Sequence, residues 1–312
     1  MQLNVPVLFL TYRRFDTTEK VFEEIRKAKP RRLYFASNAP NPNRIEDREL
    51  VQKVRALIER IDWPCELSTR FLTEHLPVKD SLNLSIDWFF ENEESGIILE
   101  DDCLPHPDFF TFCEALLERY KNDERVWAIA GHNFQEGNWR GEGSYYFSRF
   151  NHVWGWASWR RAWAKNDPKM QFWPAWKVSK SWKNFWPDLP SRLYWTHILN
   201  RMYKNKINTW DYPWTANVWF NNGLTAIPNV NLISNIGFGV DATHTTAENS
   251  RWANVPVKNI GKLVHIELVQ PNLVADLYTF NEHYSGKDFR WPRCITILPF
   301  KIIRRLYRYL NP

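Results

Sequence analysis

Three consecutive carboxylates, Glu100, Asp101 and Asp102, follow the largely apolar residues 96–99 and form an acidic cluster. Like charges at this spacing repel one another, so the cluster needs a cation or full solvation. Carboxylate oxygens suit a divalent ion that also binds a diphosphate, because the phosphates complete the coordination. We expect Asp102 to bind the metal, Asp101 to accept a hydrogen bond from a ribose or sugar hydroxyl, and Glu100 to orient both. The alternative is a solvated turn before the next helix.

A second candidate carboxylate, Asp211, lies in the Trp-rich stretch NTWDYPW. Transfer to a hydroxyl with inversion needs a general base on that hydroxyl. The flanking Trp210 and Trp214 would desolvate Asp211 and raise its pKa, or would stack on a sugar ring. Pro213 is typical of a first helical turn, so a helix start is the alternative, and it is compatible with catalysis.

Other polar residues extend the candidate site. His244, in the segment DATHT, is a candidate metal ligand or diphosphate donor, and Asp241 is a weaker alternative. Gly155 and Trp156, in HVWGWASW, suit close approach of a donor sugar, although tight core packing explains them equally. Lys79, which precedes the third predicted helix, is a further candidate for binding the nucleotide.

The first half of the chain supplies a scaffold for these residues, because apolar strand patterns alternate with amphipathic helix patterns. Strands are predicted at 5–12, 31–37, 65–71, 96–102 and 126–131. Asp16 and Asp108 are placed to cap two of the intervening helices. The alternation predicts an α/β fold with a mostly parallel sheet and helices on both faces.

The carboxyl ends of the strands in such a sheet form its ligand edge. Thr11 and Arg13 follow the first strand, Ser37 and Asn38 follow the second, and the acidic cluster follows the fourth. These residues are therefore expected to lie close together. Residues 151–220 are Trp-dense and are expected to form helices and loops over the same edge.

The composition is that of an ordered globular protein, with 44% hydrophobic and 24% charged residues. A net charge of +6 is a modest bias towards phosphates or a membrane surface, and it is too weak to predict nucleic acid as a partner. The four cysteines form no CxxC pair and no zinc-type spacing, which predicts reduced thiols in a cytoplasmic protein. The N-terminal apolar run is too short for a signal peptide or a membrane span.

No Gly/Ser linker divides the chain. We therefore expect one catalytic domain at 1–285, with a nucleotide-binding half at 1–131, an acceptor half at 132–285, and a tail at 286–312. Within that tail, basic side chains share one helical face, namely Lys301, Arg304, Arg305 and Arg308. This pattern predicts a basic amphipathic helix at 300–310, packed on the domain or lying peripherally on the inner face of the cytoplasmic membrane.

Three segments together resemble the N-acetylglucosaminyltransferase I and protein O-mannose N-acetylglucosaminyltransferase group. They are VPVLFLTYRR (5–14), EDDCLPHPDFFTF (100–112) and HVWGWASWRRAW (152–163). The later segments WDYPW, NNG and NLISNIGFGVDATHT, within 210–245, are similar to bacterial glycosyltransferase-like proteins often labelled haemolysin-related. The resemblance implies a GT-A, Rossmann-like nucleotide-diphospho-sugar transferase fold, with an acceptor region in the Trp-rich half.

The resemblance also implies roles for individual residues. Asp102 would bind a divalent ion, Mn²⁺ or Mg²⁺, that bridges the diphosphate, and Asp101 would contact the ribose or the donor sugar. Thr11 and Arg13 would border the base and phosphates. Asn38 stands where the family often has an acidic residue that accepts the uracil N3–H, a bond that an amide oxygen can also accept.

The expected function is metal-dependent transfer of a sugar, for example N-acetylglucosamine, from a UDP-sugar to a hydroxyl of a cell-surface glycan or glycolipid. Inversion with Asp211 as general base is expected, although a GT-A fold serves retaining enzymes too. One alternative is a metal-dependent phosphohydrolase or nuclease, which typically needs a second metal set. The other is a non-catalytic sugar-binding module.

Overall fold

The computed structural model describes residues 2–239 and 250–292. In this part of the chain the strands are β1 (Val7–Thr11), β2 (Arg32–Ser37), β3 (Glu66–Phe71), β4 (Ser95–Glu100), β5 (Cys103–Pro105), β6 (Val126–Ala130), β7 (Tyr145–Ser148), β8 (Trp156–Trp159), β9 (Leu224–Pro228) and β10 (Ile233–Asn235). Eight of them form one sheet, while β5 and β10 pair antiparallel as a separate two-stranded sheet.

The large sheet is mixed and has the strand order β3-β2-β1-β4-β8-β6-β9-β7. Its first four strands are parallel neighbours, and β6 is parallel to β9. β8 lies antiparallel between β4 and β6, and β7 lies antiparallel to β9 at the end of the sheet. β4 and β6 therefore point the same way. The residues that follow β1, β2, β4 and β6, and those that precede β8, share one edge, called here the carboxyl edge.

Helices cover both faces of this sheet. They are α1 (Phe15–Ala28), α2 (Asp47–Arg55), α3 (Val78–Asn92), α4 (Pro107–Arg119), α5 (Arg160–Trp163), α6 (Trp173–Trp176), α7 (Lys180–Phe185), α8 (Leu189–Tyr203), α9 (Asp211–Phe220) and α10 (Leu273–Glu282), with 3₁₀ turns at Ala56–Arg60 and Gly286–Phe289. Val7 and Phe9 of β1 pack with α1, α2 and α4, whereas Leu8 and Leu10 pack with α3, α5 and α9. Burial on both faces explains why β1 is continuously apolar.

The Trp-dense region forms a hydrophobic cluster of its own. Trp173, Trp182, Trp195 and Trp219 are all fully buried there, contributed by α6, α7, α8 and α9. Some of their indole N–H groups also bond to the backbone, as when Trp219 Nε1 donates to the Arg149 carbonyl at 2.7 Å. Most of these tryptophans are therefore core residues, and the region is largely helical as predicted.

The structure confirms the α/β fold class, with a mixed, mostly parallel sheet and helices on both faces. The five predicted strands correspond to β1–β4 and β6, although β4 ends at Glu100 and does not continue through Asp102. β8 lies within the segment expected to hold only helices and loops. No helix in the described residues has the length and apolarity that a bilayer crossing requires. His244, Asp241 and the predicted helix at 300–310 lie outside the described residues.

Both capping predictions are wrong. Arg14 is the N-cap residue of α1, so Asp16 lies inside the first turn of that helix. The His106 side chain caps α4 by accepting from the Asp108 N–H at 3.2 Å. The Asp108 carboxylate instead accepts from the Ile260 N–H at 2.9 Å, and so ties a distant loop to the start of α4.

Candidate active site

The acidic cluster spans the end of β4 and the turn that follows it. Glu100 is the last residue of β4, and Asp101 and Asp102 form the turn into β5. The pairing of β5 with β10 fixes this turn, and the Ile236 N–H donates to the Asp102 carbonyl at 2.8 Å. Asp101 is buried and Asp102 is half-buried. The cluster therefore stands at the carboxyl edge, as predicted from its position after an apolar strand.

Arg14 supplies the cation that such a cluster requires. Its Nη2 lies 2.5 Å from Asp101 Oδ1 and 2.9 Å from Asp102 Oδ2. Hydrogen bonds between charged groups are stronger than those between neutral ones, so this nitrogen holds the two carboxylates together. The sequence analysis predicted a metal ion at this place and assigned Arg13 to the base and phosphates, and it did not identify Arg14.

Gly237 packs directly against this ion pair. A Cβ added at position 237 would lie 2.2 Å from Asp102 Oδ2 and 2.6 Å from Arg14 Nη1. The Gly237 carbonyl accepts from Arg14 Nη1 at 3.4 Å, and its N–H donates to Asn235 Oδ1 at 2.9 Å. A glycine is required because only a residue without a side chain permits this approach. The segment after β10 therefore covers the acidic cluster.

Burial and mutual repulsion shift the pKa of two carboxyl groups in the cluster. Burial, followed by the charges of Asp102 and Asp101, raises the pKa of Glu100 well above its ordinary range. Burial also raises the pKa of Asp101, although the Arg14 guanidinium opposes this rise. Carboxyl groups in this state are stabilised as anions by any additional positive charge.

Asp211 lies at the N-terminal end of α9. It is the first residue of that helix, and its carboxylate accepts a hydrogen bond from Thr209 Oγ1. The charge of Asp211 also contributes, as the smallest of the causes, to the raised pKa of Glu100. Asp211 thus lies at a helix start, and the adjacent Trp210 packs against Trp156 at the start of β8, which is at the carboxyl edge.

The tryptophans around Asp211 belong to the core. Trp210 and Trp214 are buried and pack against Trp156, with ring centroids 5.8 and 5.9 Å from it. Gly155 has φ +60°, and a Cβ there would lie 2.5 Å from the Ile233 side chain. These contacts favour the core-packing alternative for Gly155 and Trp156. The indoles of Trp210 and Trp214 therefore pack α9 against the sheet.

The Asn38 side chain joins the end of β2 to the segment before α3 through hydrogen bonds. Its Oδ1 accepts from the Ala39 N–H at 2.9 Å and the Leu76 N–H at 3.1 Å, and its Nδ2 donates to the Leu76 carbonyl at 2.8 Å. An amide oxygen has two lone pairs, and both are engaged here. Acceptance of a base N–H by Asn38 would therefore require one of these bonds to break.

The other residues predicted to bind the nucleotide have hydrogen bonds or ion pairs of their own. Thr11 Oγ1 donates to a β2 carbonyl at 3.0 Å, and Ser37 Oγ accepts from an arginine of α2 at 3.1 Å. Arg13 Nη1 lies 3.5 Å from the buried carboxylate of Asp47. Lys79 Nζ donates to a carbonyl in the loop after α5 at 3.3 Å. The structure thus gathers Thr11, Ser37 and Arg13 at the ends of β1 and β2, and directs Lys79 towards the Trp-rich region.

Three histidines, which the sequence did not indicate as a group, surround Phe134 at the carboxyl edge. The ring centroids of His132, His152 and His283 lie 4.2, 4.5 and 3.8 Å from that of Phe134. Each has a buried ring nitrogen without a hydrogen-bond partner among the described residues. Burial lowers the pKa of His132 to about 4 and that of His283 to about 3, and the pKa of His152 is also well below normal. This histidine cluster is therefore neutral at neutral pH.

Among the described residues, the acidic cluster supplies only part of the donor set that a divalent ion needs. Asp101 and Asp102 offer hard oxygen atoms, and the Arg14 guanidinium marks a position where a cation is held between them. Among residues 2–239 and 250–292, no group of three or more His, Cys, Asp and Glu side chains is arranged to hold a metal. Phosphate oxygens would have to complete the coordination, as is common for Mg²⁺ sites.

No protein-family model and no curated protein matches the chain. Among solved structures, apo UDP-glucose pyrophosphorylase is similar at 9% identity and a TM-score of 0.35, covering 72% of this chain and 90% of that one. Mannose-1-phosphate geranyltransferase from Thermus thermophilus is similar at 13% identity and a TM-score of 0.32, covering 73% and 74%. A protein described as a nucleotide-diphospho-sugar transferase, from Desulfovibrio desulfuricans, is similar at 10% identity and a TM-score of 0.29, covering 52% and 65%.

The names of these three proteins each contain a nucleotide sugar or a sugar phosphate. Their identities to this chain are at most 13% and their TM-scores are below 0.5. At that distance the likeness carries no argument about chemistry. The function has to be inferred from the residues at the carboxyl edge.

Proposed function

We propose that the protein is a glycosyltransferase that moves a sugar from a UDP-sugar donor to a hydroxyl of a glycan or glycolipid. The supporting observation is that the acidic cluster lies at the carboxyl edge of an α/β sheet, and that Asp211 begins a helix whose flanking Trp210 and Trp214 pack against Trp156 at that edge. One pair of carboxylates there holds a cation, and a separate carboxylate stands at the start of α9. This division suits a displacement in which an anionic group leaves and a hydroxyl loses its proton.

Asp102 would hold the divalent ion with support from Asp101, and the ion would supply positive charge to the leaving diphosphate. Asp102 is the more accessible of the two, which suits contact with a ligand. His244 remains a proposed further ligand from the segment that follows Gly237. Mn²⁺ and Mg²⁺ both match hard oxygen donors of this kind.

Asp211 would act as the general base. The bond from Thr209 Oγ1 orients its carboxylate, and a carboxylate has several lone pairs with which to accept the proton of an acceptor hydroxyl. Attack from the side opposite the leaving diphosphate would invert the anomeric centre. The transferred sugar is proposed to be N-acetylglucosamine on the resemblance of the 100–112 segment alone.

The first test is thermal unfolding of the full chain with a panel of nucleotide sugars, with and without Mn²⁺. We expect one UDP-sugar to raise the Tm only when Mn²⁺ is present, since ligand at a hundredfold excess over Kd adds about 2.7 kcal/mol to the free energy of unfolding. Asp102→Asn should abolish the rise. Asp62→Asn, which alters an exposed carboxylate paired with Arg26, is the matched control and should retain it.

Each competing function gives a different result. If no nucleotide diphosphate stabilises the parent protein in a metal-dependent way, the transferase proposal fails. A UDP-sugar that binds but is never consumed with any acceptor would favour a sugar-binding module. Metal-dependent cleavage of a phosphoester without sugar transfer would favour a phosphohydrolase or nuclease.

A further inference from the structure

Arg14 bridges the two carboxylates from which the metal site is proposed to be built. A single nitrogen, Nη2, contacts Asp101 Oδ1 at 2.5 Å and Asp102 Oδ2 at 2.9 Å. The side chains of Asp101 and Asp102 are only 7% and 14% exposed. Charges buried to this extent are costly unless they are paired, so the two carboxylates are stable as anions only beside a cation.

The space beside this ion pair is limited by Gly237. Its α-carbon is so close that an added Cβ would meet both Asp102 Oδ2 and Arg14 Nη1. A hydrated or phosphate-bound divalent ion occupies more room than a methyl group. Asp102 therefore has no room to bind a metal on this side while the guanidinium stays in place.

The backbone of Arg14 is fixed by hydrogen bonds. If Arg14 is to release the two carboxylates, only its side chain can move. The Arg14 carbonyl accepts from the Thr18 N–H at 3.0 Å and from the hydroxyls of Thr18 and Thr17 at 2.6 and 3.2 Å. The arginine side chain, in contrast, is a long flexible stem whose charge is satisfied by any nearby anion. A diphosphate bound at the carboxyl edge would offer that anion.

We propose that Arg14 and the divalent ion bind Asp102 alternately, and that Arg14 is the resident cation of the donor-free protein. The inference rests on the metal site of the proposed function. Entry of a metal–diphosphate releases the guanidinium from Asp102, and the released side chain pairs with the diphosphate. The metal alone binds weakly, because it must displace an arginine without providing a new anion for it.

The experiment measures Mn²⁺ binding to the full chain without nucleotide, from the electron paramagnetic resonance signal of free Mn²⁺ at constant pH and ionic strength. Arg14→Met removes the competing cation, and we expect it to bind Mn²⁺ at least about tenfold more tightly than the parent protein. Arg26→Met is the control, because Arg26 pairs with the exposed Asp62 away from the acidic cluster, and its Mn²⁺ affinity should equal that of the parent. Equal or weaker Mn²⁺ binding by Arg14→Met would overturn the proposal.

A second measurement covers the case in which Arg14→Met folds poorly, since it leaves two buried carboxylates unpaired. Mn²⁺ should then raise the Tm of Arg14→Met by more than that of the parent protein, and equal rises would contradict alternate binding. If the parent protein binds Mn²⁺ only when UDP is present, and Arg14→Met binds Mn²⁺ without UDP no more tightly than the parent, this inference alone is overturned. Absence of Mn²⁺ binding to both proteins, with and without UDP, overturns the metal site of the proposed function as well.

Discussion

At the residue scale, the site depends on which of two adjacent arginines faces the acidic cluster. Arg13 pairs with Asp47 at the start of α2, whereas Arg14 bridges Asp101 and Asp102. Residue types and their position after β1 were enough to predict a cation at this edge. The direction of each side chain is set by the turn between β1 and α1, which the sequence pattern does not specify.

Asp211→Asn tests the general base at this scale. The amide keeps the size of the side chain but cannot take up a proton, so we expect turnover of the UDP-sugar identified by thermal shift to fall by roughly 10²- to 10⁴-fold. The metal-dependent rise in Tm should remain, because the donor does not need the base in order to bind. Full turnover by Asp211→Asn would remove Asp211 from the mechanism, with Asp62→Asn as the reference for a neutral change.

At the scale of elements, the loops at the carboxyl edge bring together groups that are far apart in the sequence. His132 follows β6, His152 precedes β8 and His283 follows α10, yet all three contact Phe134. The proton linkage of such residues has a definite sign. A histidine that stays neutral when folded takes up a proton only when unfolded, so the free energy of unfolding falls as the pH drops below about 6.5.

His152→Phe should reduce this sensitivity to acid. The phenyl ring takes up no proton, and His152 Nε2 has no hydrogen-bond partner to lose within residues 2–239 and 250–292. We expect the free energy of unfolding, measured with urea at a series of pH values, to fall less steeply in the variant than in the parent below pH about 6.5. A slope identical to that of the parent would show that His152 is not held neutral by the fold.

The comparison has to be a difference between variant and parent, because other buried groups titrate in the same range. Burial raises the pKa of Asp276 to about 6, so this carboxyl binds more protons when folded and stabilises the protein as the pH falls from 6 towards 4. His197→Gln, on the exposed face of α8, is the control substitution, since that side chain is solvated in both states.

At the scale of the whole molecule, α9 joins the sheet to the Trp-dense region. Trp214 packs with the sheet-facing cluster, and Trp219 packs with the cluster formed by α6–α8. Asp211 is on the same helix, so the position of the proposed base depends on both hydrophobic clusters. The aromatic content of the second half thus supports the carboxyl edge mainly through packing.

Trp214→Ala should lower the free energy of unfolding by about 3–5 kcal/mol, the usual range for truncation of a buried aromatic residue. Trp214 is fully buried and has ring contacts with Trp127, Trp156 and Trp163 at 5.8, 5.9 and 5.0 Å. Denaturant unfolding measures the change. Trp139→Ala, at an exposed tryptophan, should stay within about 0.5 kcal/mol of the parent, and a similarly small loss at Trp214 would contradict the packing described.

The limits of prediction from the sequence follow from the range of the interactions. β1, β4 and α1 have strong local patterns, so the sheet and its carboxyl edge were predictable. β5, β8 and β10 are only three or four residues long, and their pairing depends on partners elsewhere in the chain. The role of Gly155 was open for the same reason. Its sequence context fits a sugar contact or core packing equally well, and only the fold places Ile233 beside it.

The pairing of β5 with β10 has a consequence for the order in which the molecule is built. It joins residues that are roughly 130 positions apart, so a long loop must close before the acidic cluster receives its cover. Contacts of such long range form late and slowly compared with local ones. During synthesis, the parallel strands β1–β4 can associate well before β10 leaves the ribosome. An incompletely made chain therefore carries the acidic cluster without the segment after β10 that covers it.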